Sequence, residues 1–81
     1  MFYVYLIKSL KYPEQRYIGV TDDLKSRIKE HNSERSPHTA KYAPWILVNY
    51  FAFSSQLAAV DFEKYLKTGS GFAFANKRFW K

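Results

Sequence analysis

Five side chains in this 81-residue sequence are of types that commonly take part in catalysis, and each falls beside residues predicted to form a core. They are Tyr5, Tyr17, Arg27, His31 and Glu63. Phenols and imidazoles can exchange protons, a guanidinium binds anions through a fork of donors, and a carboxylate can hold a divalent metal ion. A small domain is poorly placed to hide several polar groups near its core, so their coexistence indicates a catalytic site.

Each of the five residues also has a purely structural interpretation. Strand tyrosines are most often packing residues, and a lone arginine such as Arg27 can extend past apolar neighbours to water. His31, near a helix end, can simply interact with the helix dipole. Glu63 can form a surface ion pair with Lys67 four residues later. The catalytic interpretation therefore rests on the whole set.

Other catalytic signatures are absent from the sequence. There is no glycine-rich phosphate loop and no His-Glu-x-x-His motif. The sequence contains no cysteine, which excludes disulfides and thiolate metal sites. The seven acidic residues are scattered, and only Glu63 lies beside a predicted apolar face. The carboxylates therefore support a site for one metal ion at most.

Two strands are predicted to carry the tyrosines. Residues 2–8 are apolar on both alternating faces, which predicts a central strand covered on both sides. Residues 16–20 form a second short strand, and the polar segment between them predicts a hairpin. If the strands pair near Tyr5 and Tyr17, the two phenols lie side by side, because positions of equal parity point the same way.

A first helix is predicted from capping residues at 21–23 to about residue 32. At about 100° per residue, Arg27 and His31 fall in the same stripe as Leu24 and Ile28, which is directed toward the sheet. Burying an arginine or a histidine costs free energy unless the group finds a partner. The helix is therefore expected to present two polar groups to the face that carries the tyrosines.

The remaining elements place the carboxylate. Residues 33–44 are predicted to form a polar linker, and residues 45–53 a third strand. A second helix is predicted from a serine cap at residues 54–55 to about residue 67. The apolar face of this helix has Glu63 at its edge.

The C-terminal part of the chain is predicted from its glycines and aromatic residues. Gly69 and Gly71 are expected to end the second helix by C-capping. Residues 72–81 are expected to form a short helix or a packed tail. No internal repeat or linker divides the sequence, so a single domain is predicted over residues 1–81.

Composition favours an anionic partner. Thirteen Lys and Arg against seven Asp and Glu give a net charge of +6, which attracts polyanions but is weak evidence by itself. The N-terminus lacks the pattern of a secretion signal, and no apolar run approaches the ~20 residues that span a membrane, so a cytoplasmic location is expected. Basic residues expected to contact a nucleic-acid backbone are Lys8, Lys25, Lys41, Lys77 and Arg78.

The ordered set of residues resembles the GIY-YIG nuclease superfamily. The resemblance is carried by Tyr3-Val4-Tyr5, by Tyr17-Ile18-Gly19, and by Arg27, His31 and Glu63 at their spacings. It is most similar to small stand-alone bacterial members related to the nuclease domain of the excision-repair protein UvrC, and it spans nearly the whole chain. Tyr3 departs from the pattern, because the family has glycine at that position.

The resemblance implies the fold and the function. It implies an α+β domain with a three-stranded antiparallel sheet flanked by helices, a Mg²⁺ or Mn²⁺ cofactor, and Asn76 as a supporting polar residue. The expected function is a metal-dependent endonuclease that hydrolyses phosphodiester bonds in DNA, including branched or single-stranded DNA, in repair or recombination.

The five side chains can be assigned to the steps of phosphodiester hydrolysis. Glu63 is expected to hold the metal ion and Arg27 to bind phosphate oxygens. Tyr5 is favoured as the proton acceptor, Tyr17 would orient water or phosphate, and His31 would hydrogen-bond one of them, although the sequence does not settle which phenol does which task.

Two other functions remain open from the sequence. One is a catalytically inactive nucleic-acid-binding module or subunit. The other is a protein-interaction domain with no affinity for nucleic acid. The sequence identifies no protein partner.

Overall fold

Strand β1 (Phe2–Ser9) lies at the centre of a three-stranded sheet, between β2 (Arg16–Thr21) and β3 (Trp45–Phe53). Both pairings are antiparallel. The computed structural model describes residues 1–33 and 37–80. Within these described residues, four helices accompany the sheet: α1 (Leu24–His31), α2 (Pro37–Ala40), α3 (Gln56–Leu66) and α4 (Gly69–Arg78). The predicted α+β class, with an antiparallel sheet flanked by helices, is confirmed.

Both faces of β1 are buried, as its two-sided apolar pattern predicts. Val4 and Leu6 belong to the larger core, which α3 and α4 complete with residues such as Ala59 and Ala75. Tyr5, with Ile7, faces the other way, into a smaller core completed by apolar residues of α1 and by Trp45. The tyrosine face of the sheet is therefore the face covered by α1.

Helix α1 begins at the predicted cap. The Asp23 side chain accepts a hydrogen bond from the Ser26 backbone N–H at 3.2 Å, and the helix ends at His31. His31 is buried, as its position in the apolar stripe predicts. Arg27 lies at the edge of this face, because its side chain is 44% exposed near Glu30 and the residue also lines a groove with Phe2 and Val20 of the sheet. Its length lets the guanidinium reach water from the edge of the stripe.

The predicted polar linker contains structure that the sequence pattern missed. Residues 34–36 lie outside the described residues, but α2 forms immediately after them. Thr39 in α2 is buried, and its carbonyl oxygen accepts a hydrogen bond from the Trp45 indole N–H at 2.7 Å. The segment therefore supports the smaller core.

The prediction that Gly69 and Gly71 end the second helix is wrong. Helix α3 ends at Leu66, and both glycines lie in α4 with no positive φ. A Cβ on Gly71 would lie 1.8 Å from the Tyr65 carbonyl oxygen, so this glycine allows the start of α4 to approach the end of α3. Thr68 caps α4 by accepting from the Gly71 N–H at 3.2 Å.

No helix within residues 1–33 and 37–80 is long and apolar enough to cross a membrane.

Candidate active site

Tyr5, Tyr17 and His31 form a compact aromatic cluster on the α1 face of the sheet. The ring centroids of Tyr5 and Tyr17 are 6.2 Å apart, and His31 lies 5.6 Å from Tyr5 and 4.8 Å from Tyr17. In the β1–β2 register Tyr5 is opposite Gly19 and Tyr17 is opposite Ile7. The two phenols are therefore close, but they lie diagonally rather than directly opposite each other.

Gly19 provides the space that the Tyr5 phenol occupies. A Cβ at this position would lie 2.5 Å from the Tyr5 hydroxyl oxygen and 3.0 Å from Cε2 of Tyr17. The first distance is shorter than real Cβ contacts, and the Tyr5 ring that would have to shift is buried, whereas the second distance is a tight contact with the exposed Tyr17 ring. The glycine after Tyr17-Ile18 is thus required by the packing of the two tyrosines across it.

A chain of hydrogen bonds fixes the imidazole. The Tyr5 hydroxyl oxygen is 2.7 Å from Nε2 of His31, and Nδ1 of His31 is 2.9 Å from the Thr39 hydroxyl oxygen. In the tautomer protonated at Nδ1, His31 donates to Thr39 and accepts the hydroxyl proton of Tyr5. Strand β1, helix α1 and helix α2 each contribute one member, so the orientation of His31 depends on all three.

Burial governs the protonation of this pair. It raises the pKa of Tyr5 well above its ordinary value of 10.0, and Tyr17 raises it further, while the positive charge of Arg27 lowers it. Burial also lowers the pKa of His31 from its ordinary value of 6.5, and Arg27 lowers it further. At neutral pH the resting pair is therefore a neutral phenol donating to a neutral imidazole.

Tyr17 is the accessible phenol of the cluster. Its side chain belongs to an edge strand and it is 38% exposed, compared with 1% for Tyr5. Its hydroxyl has no hydrogen-bond partner within residues 1–33 and 37–80. A ligand that approaches from solvent can therefore reach this hydroxyl without displacing a protein contact.

Glu63 reaches the tyrosines from α3 together with Lys67. The two side chains form an ion pair, and the Lys67 ammonium lies 5.9 Å from the centroid of the Tyr17 ring. The negative charge of Glu63 is close enough to contribute to the raised pKa of Tyr5. Because α3 packs on the opposite face of the sheet, we infer that these side chains approach the cluster around the edge strand β2.

The donor set around Glu63 fits one hard divalent ion. The Glu63 side chain is only 16% exposed, whereas its partner Lys67 is 53% exposed, so the ammonium can turn from Glu63 toward the Tyr17 ring and free a carboxylate oxygen. In the described part of the chain, no three His, Asp or Glu side chains are grouped to ligate a metal. An ion bound here would complete its shell with water and phosphate oxygens, as Mg²⁺ commonly does.

Arg27 lies at the border of the cluster rather than inside it. Its Nε is 3.8 Å from Oε2 of Glu30, and the two side chains are 44% and 46% exposed. Its charge acts on both Tyr5 and His31. Because the pair with Glu30 is exposed and long, it holds the guanidinium weakly. Arg27 is therefore free to turn to an incoming anion.

The residues expected to contact DNA are dispersed over the surface. Lys8 lies near the end of β1, Lys25 in the first turn of α1, and Lys41 after α2 beside the Tyr42 ring. The C-terminal candidates Asn76, Lys77 and Arg78 all lie on α4 and are exposed. The structure does not gather the six into one patch. Asn76 contacts the site indirectly, because its side-chain oxygen accepts a hydrogen bond from Arg16, the neighbour of Tyr17.

Three residues beside the site were missed by the sequence analysis as functional candidates. Thr39 lay in a segment without periodic pattern, so nothing indicated its contact with His31. Lys67 was considered only as a surface partner of Glu63, although its four-residue spacing was a usable signal. Arg16 contacts residues 60 or more positions away, which no local pattern indicates.

Comparison with known proteins identifies the family of this chain. The chain matches the family model of the GIY-YIG catalytic domain over residues 1–77. It is 36% identical over 67 residues to the structure-specific endonuclease subunit SLX1 of Malassezia globosa, covering 78% of this chain and 15% of that protein. It is also 36% identical over 71 residues to the subunit of the same name from Candida dubliniensis, covering 79% of this chain and 25% of that protein.

The chain thus spans a quarter or less of the length of these two relatives. The part of the chain that matches the family model includes both strands that carry the tyrosines and both helices that carry His31 and Glu63. The predicted relation to the GIY-YIG superfamily is confirmed. The chain belongs to the GIY-YIG catalytic domain family.

Proposed function

We propose that this protein is a metal-dependent endonuclease that hydrolyses phosphodiester bonds in DNA, with one Mg²⁺ or Mn²⁺ ion held by Glu63. The observation that carries the proposal is the convergence of two phenols and an imidazole beside an isolated carboxylate. Hydrolysis of a phosphodiester needs an activated water, charge stabilisation at the phosphate and help for the departing oxygen. The site contains a side chain suited to each task.

Tyr5 and His31 are proposed to handle the proton together. A raised pKa disfavours a resting Tyr5 phenolate, so Tyr5 can accept a proton from water only while passing its own proton to Nε2 of His31. The lowered pKa of His31 keeps Nε2 unprotonated and ready to accept at neutral pH. Tyr17, as the accessible phenol, would orient the water or the phosphate.

Charge at the phosphate is proposed to be stabilised from two sides. Arg27 would turn from Glu30 to fork onto the non-bridging oxygens, a geometry that lysine matches less well. A divalent ion at Glu63 would supply Lewis-acid stabilisation of the departing oxygen. Lys67, released from Glu63, would remain beside Tyr17 as a further positive charge facing the DNA backbone.

The substrate and partners are proposed from the relatives. Both are named as subunits of a structure-specific endonuclease, which favours DNA of non-uniform structure, including branched or single-stranded DNA, as the substrate of this chain. It also favours a protein partner and a role in DNA repair or recombination. The narrower expected relation to the nuclease domain of UvrC stays a prediction, because both relatives are fungal proteins of another name.

The decisive experiment replaces Glu63 by Gln, which keeps the side-chain shape and removes the metal-binding charge. We expect Glu63→Gln to abolish cleavage of duplex, nicked, branched and single-stranded DNA in Mg²⁺ or Mn²⁺. We expect its melting temperature and much of its DNA affinity to be retained, because the lost pair with Lys67 is partly exposed. Chelation of the metal should reproduce the loss in the parental protein.

Asp61→Asn is the matched control, because Asp61 is an exposed acid on the same helix. It should cut DNA at the parental rate. Undiminished cleavage by folded Glu63→Gln protein would refute the proposed metal ligand. A parental protein that binds these DNAs but cuts none of them with either metal would instead be the inactive nucleic-acid-binding module.

A further inference from the structure

A cavity of about 290 Å³ opens directly beside the accessible phenol of the site. Its wall includes Arg16, Tyr17, Lys67, Phe72 and Trp80. This volume is near the lower end of the range of about 300–1,000 Å³ that is typical of small-molecule pockets. The cavity is therefore large enough for a flat ring system and continuous with the proposed cleavage site.

The positive charges of the cavity are held in place by aromatic rings. The guanidinium carbon of Arg16 lies 4.8 Å from the centroid of the Trp80 ring, and Arg16 also donates a hydrogen bond to Asn76. The ammonium of Lys67 lies over the Tyr17 ring. Two cations thus line the same cavity, where an anionic group such as a phosphate can contact either one.

Phe72 supplies an aromatic surface that the fold does not use. Its side chain is 56% exposed at the mouth of the cavity, and it makes no ring contact within residues 1–33 and 37–80. By contrast, Phe74 of α4 packs its ring against Phe79, the residue that follows the helix. Phe72 therefore contributes little to the core, although it exposes a face suited to stacking.

We propose that this cavity binds one unpaired nucleotide of the DNA next to the scissile phosphate, with its base stacked on Phe72 and its phosphate contacted by Arg16 or Lys67. Single-stranded nucleic acids are bound by this combination of a positive groove and aromatic faces. A base within a duplex has both faces covered by its neighbours, so it cannot enter. This inference rests on the proposed function, because that function defines where the cleaved phosphate lies. It adds that the nuclease would prefer DNA with an unpaired nucleotide at this point.

The test measures binding in the absence of metal, so that no cleavage is needed. Fluorescence anisotropy gives the affinity of the protein for a labelled duplex and for the same duplex with a single-stranded 5′ or 3′ flap. We expect the parental protein to bind at least one flap DNA about 5- to 150-fold more tightly than the duplex, the range for one base–aromatic stack. Phe72→Ala should abolish that preference, and Phe72→Trp should retain it.

Tyr65→Ala is the matched control, because Tyr65 is an exposed aromatic residue of the neighbouring helix that does not line the cavity. It should keep the flap preference. Equal affinity of the parental protein for flap and duplex DNA would overturn the proposal, as would a flap preference that survives in Phe72→Ala. A protein that shows the preference but never cuts DNA would refute the nuclease function and leave the nucleotide site standing.

Discussion

Replacing Tyr5 by Phe removes a single oxygen atom from the centre of the site and leaves Nε2 of His31 without its hydrogen-bond partner. Among the described residues, no buried side-chain nitrogen or oxygen atom lacks a partner in the parental protein. Leaving one such atom unsatisfied costs about 1–3 kcal/mol. A domain of this size loses about 4–8 °C of melting temperature per kcal/mol, so we expect a decrease of about 4–24 °C.

Tyr17→Phe provides the comparison that separates stability from chemistry. The Tyr17 hydroxyl has no partner in the described part of the chain, so its removal should change stability by no more than about 0.5 kcal/mol, or roughly 2–4 °C. Cleavage by both variants should fall about 10²–10⁴-fold, the usual contribution of a positioned acid-base group. Only Tyr5→Phe should combine the two losses.

Thermal melting followed by circular dichroism and single-turnover cleavage of labelled DNA measure the two quantities. Tyr3→Phe is the internal control, because Tyr3 lies on the same strand face and its ring contacts Tyr50 rather than the cluster. If Tyr5→Phe melts at the parental temperature, the bond to His31 does not stabilise the fold. If all three variants cut at the parental rate, the tyrosines are packing residues and the mechanism is wrong.

Two further predictions follow from the same cluster. Gly19→Ala should lower the melting temperature and the cleavage rate together, because its Cβ would lie 2.5 Å from the Tyr5 hydroxyl and overpacking costs about 1–3 kcal/mol. Gly69→Ala is the control, because a Cβ there would have nothing within 4 Å. Equal behaviour of the two variants would contradict the argument. Because the pKa of His31 is lowered in the folded protein, the unfolded chain binds the proton more readily. The neutral imidazole therefore stabilises the fold above the ordinary pKa of 6.5, and that stability is lost as the pH falls through the pKa of the folded protein. Melting temperature and cleavage rate should both decrease with pH in that window, and profiles that stay flat from pH 7.5 to 5 would count against a buried neutral His31.

The fold could be predicted where apolar periodicity was strong and local. The three strands carry aromatic and β-branched residues, and α1 and α3 begin at side-chain caps that the sequence displays at Asp23 and Ser55. The end of α3 near residue 67 agrees with the prediction, but the role predicted for the glycines is wrong, because glycine favours two different outcomes. A C-capping glycine relieves strain at positive φ, whereas Gly71 relieves a steric clash with the preceding helix, and only tertiary structure distinguishes the two.

The site could be predicted as a set of residues but not as an arrangement. Helical spacing correctly placed His31 on the inner face, and it also indicated the pair between Glu63 and Lys67. It did not place Arg27, because a long side chain at the edge of a stripe can turn either way. The support of His31 by Thr39 was also beyond local patterns, since it depends on how a short helix docks.

The candidate site is divided among four elements that are far apart along the chain. The phenols arrive on β1 and β2, the imidazole on α1, and the carboxylate on α3, which packs back against all three strands. A nascent or truncated chain that ends before α3 can contain both tyrosines and the histidine, yet it has no Glu63 beside them. Assembly of the proposed nuclease site is therefore tied to completion of the fold, because the carboxylate proposed to bind the metal is the last of its groups to be placed.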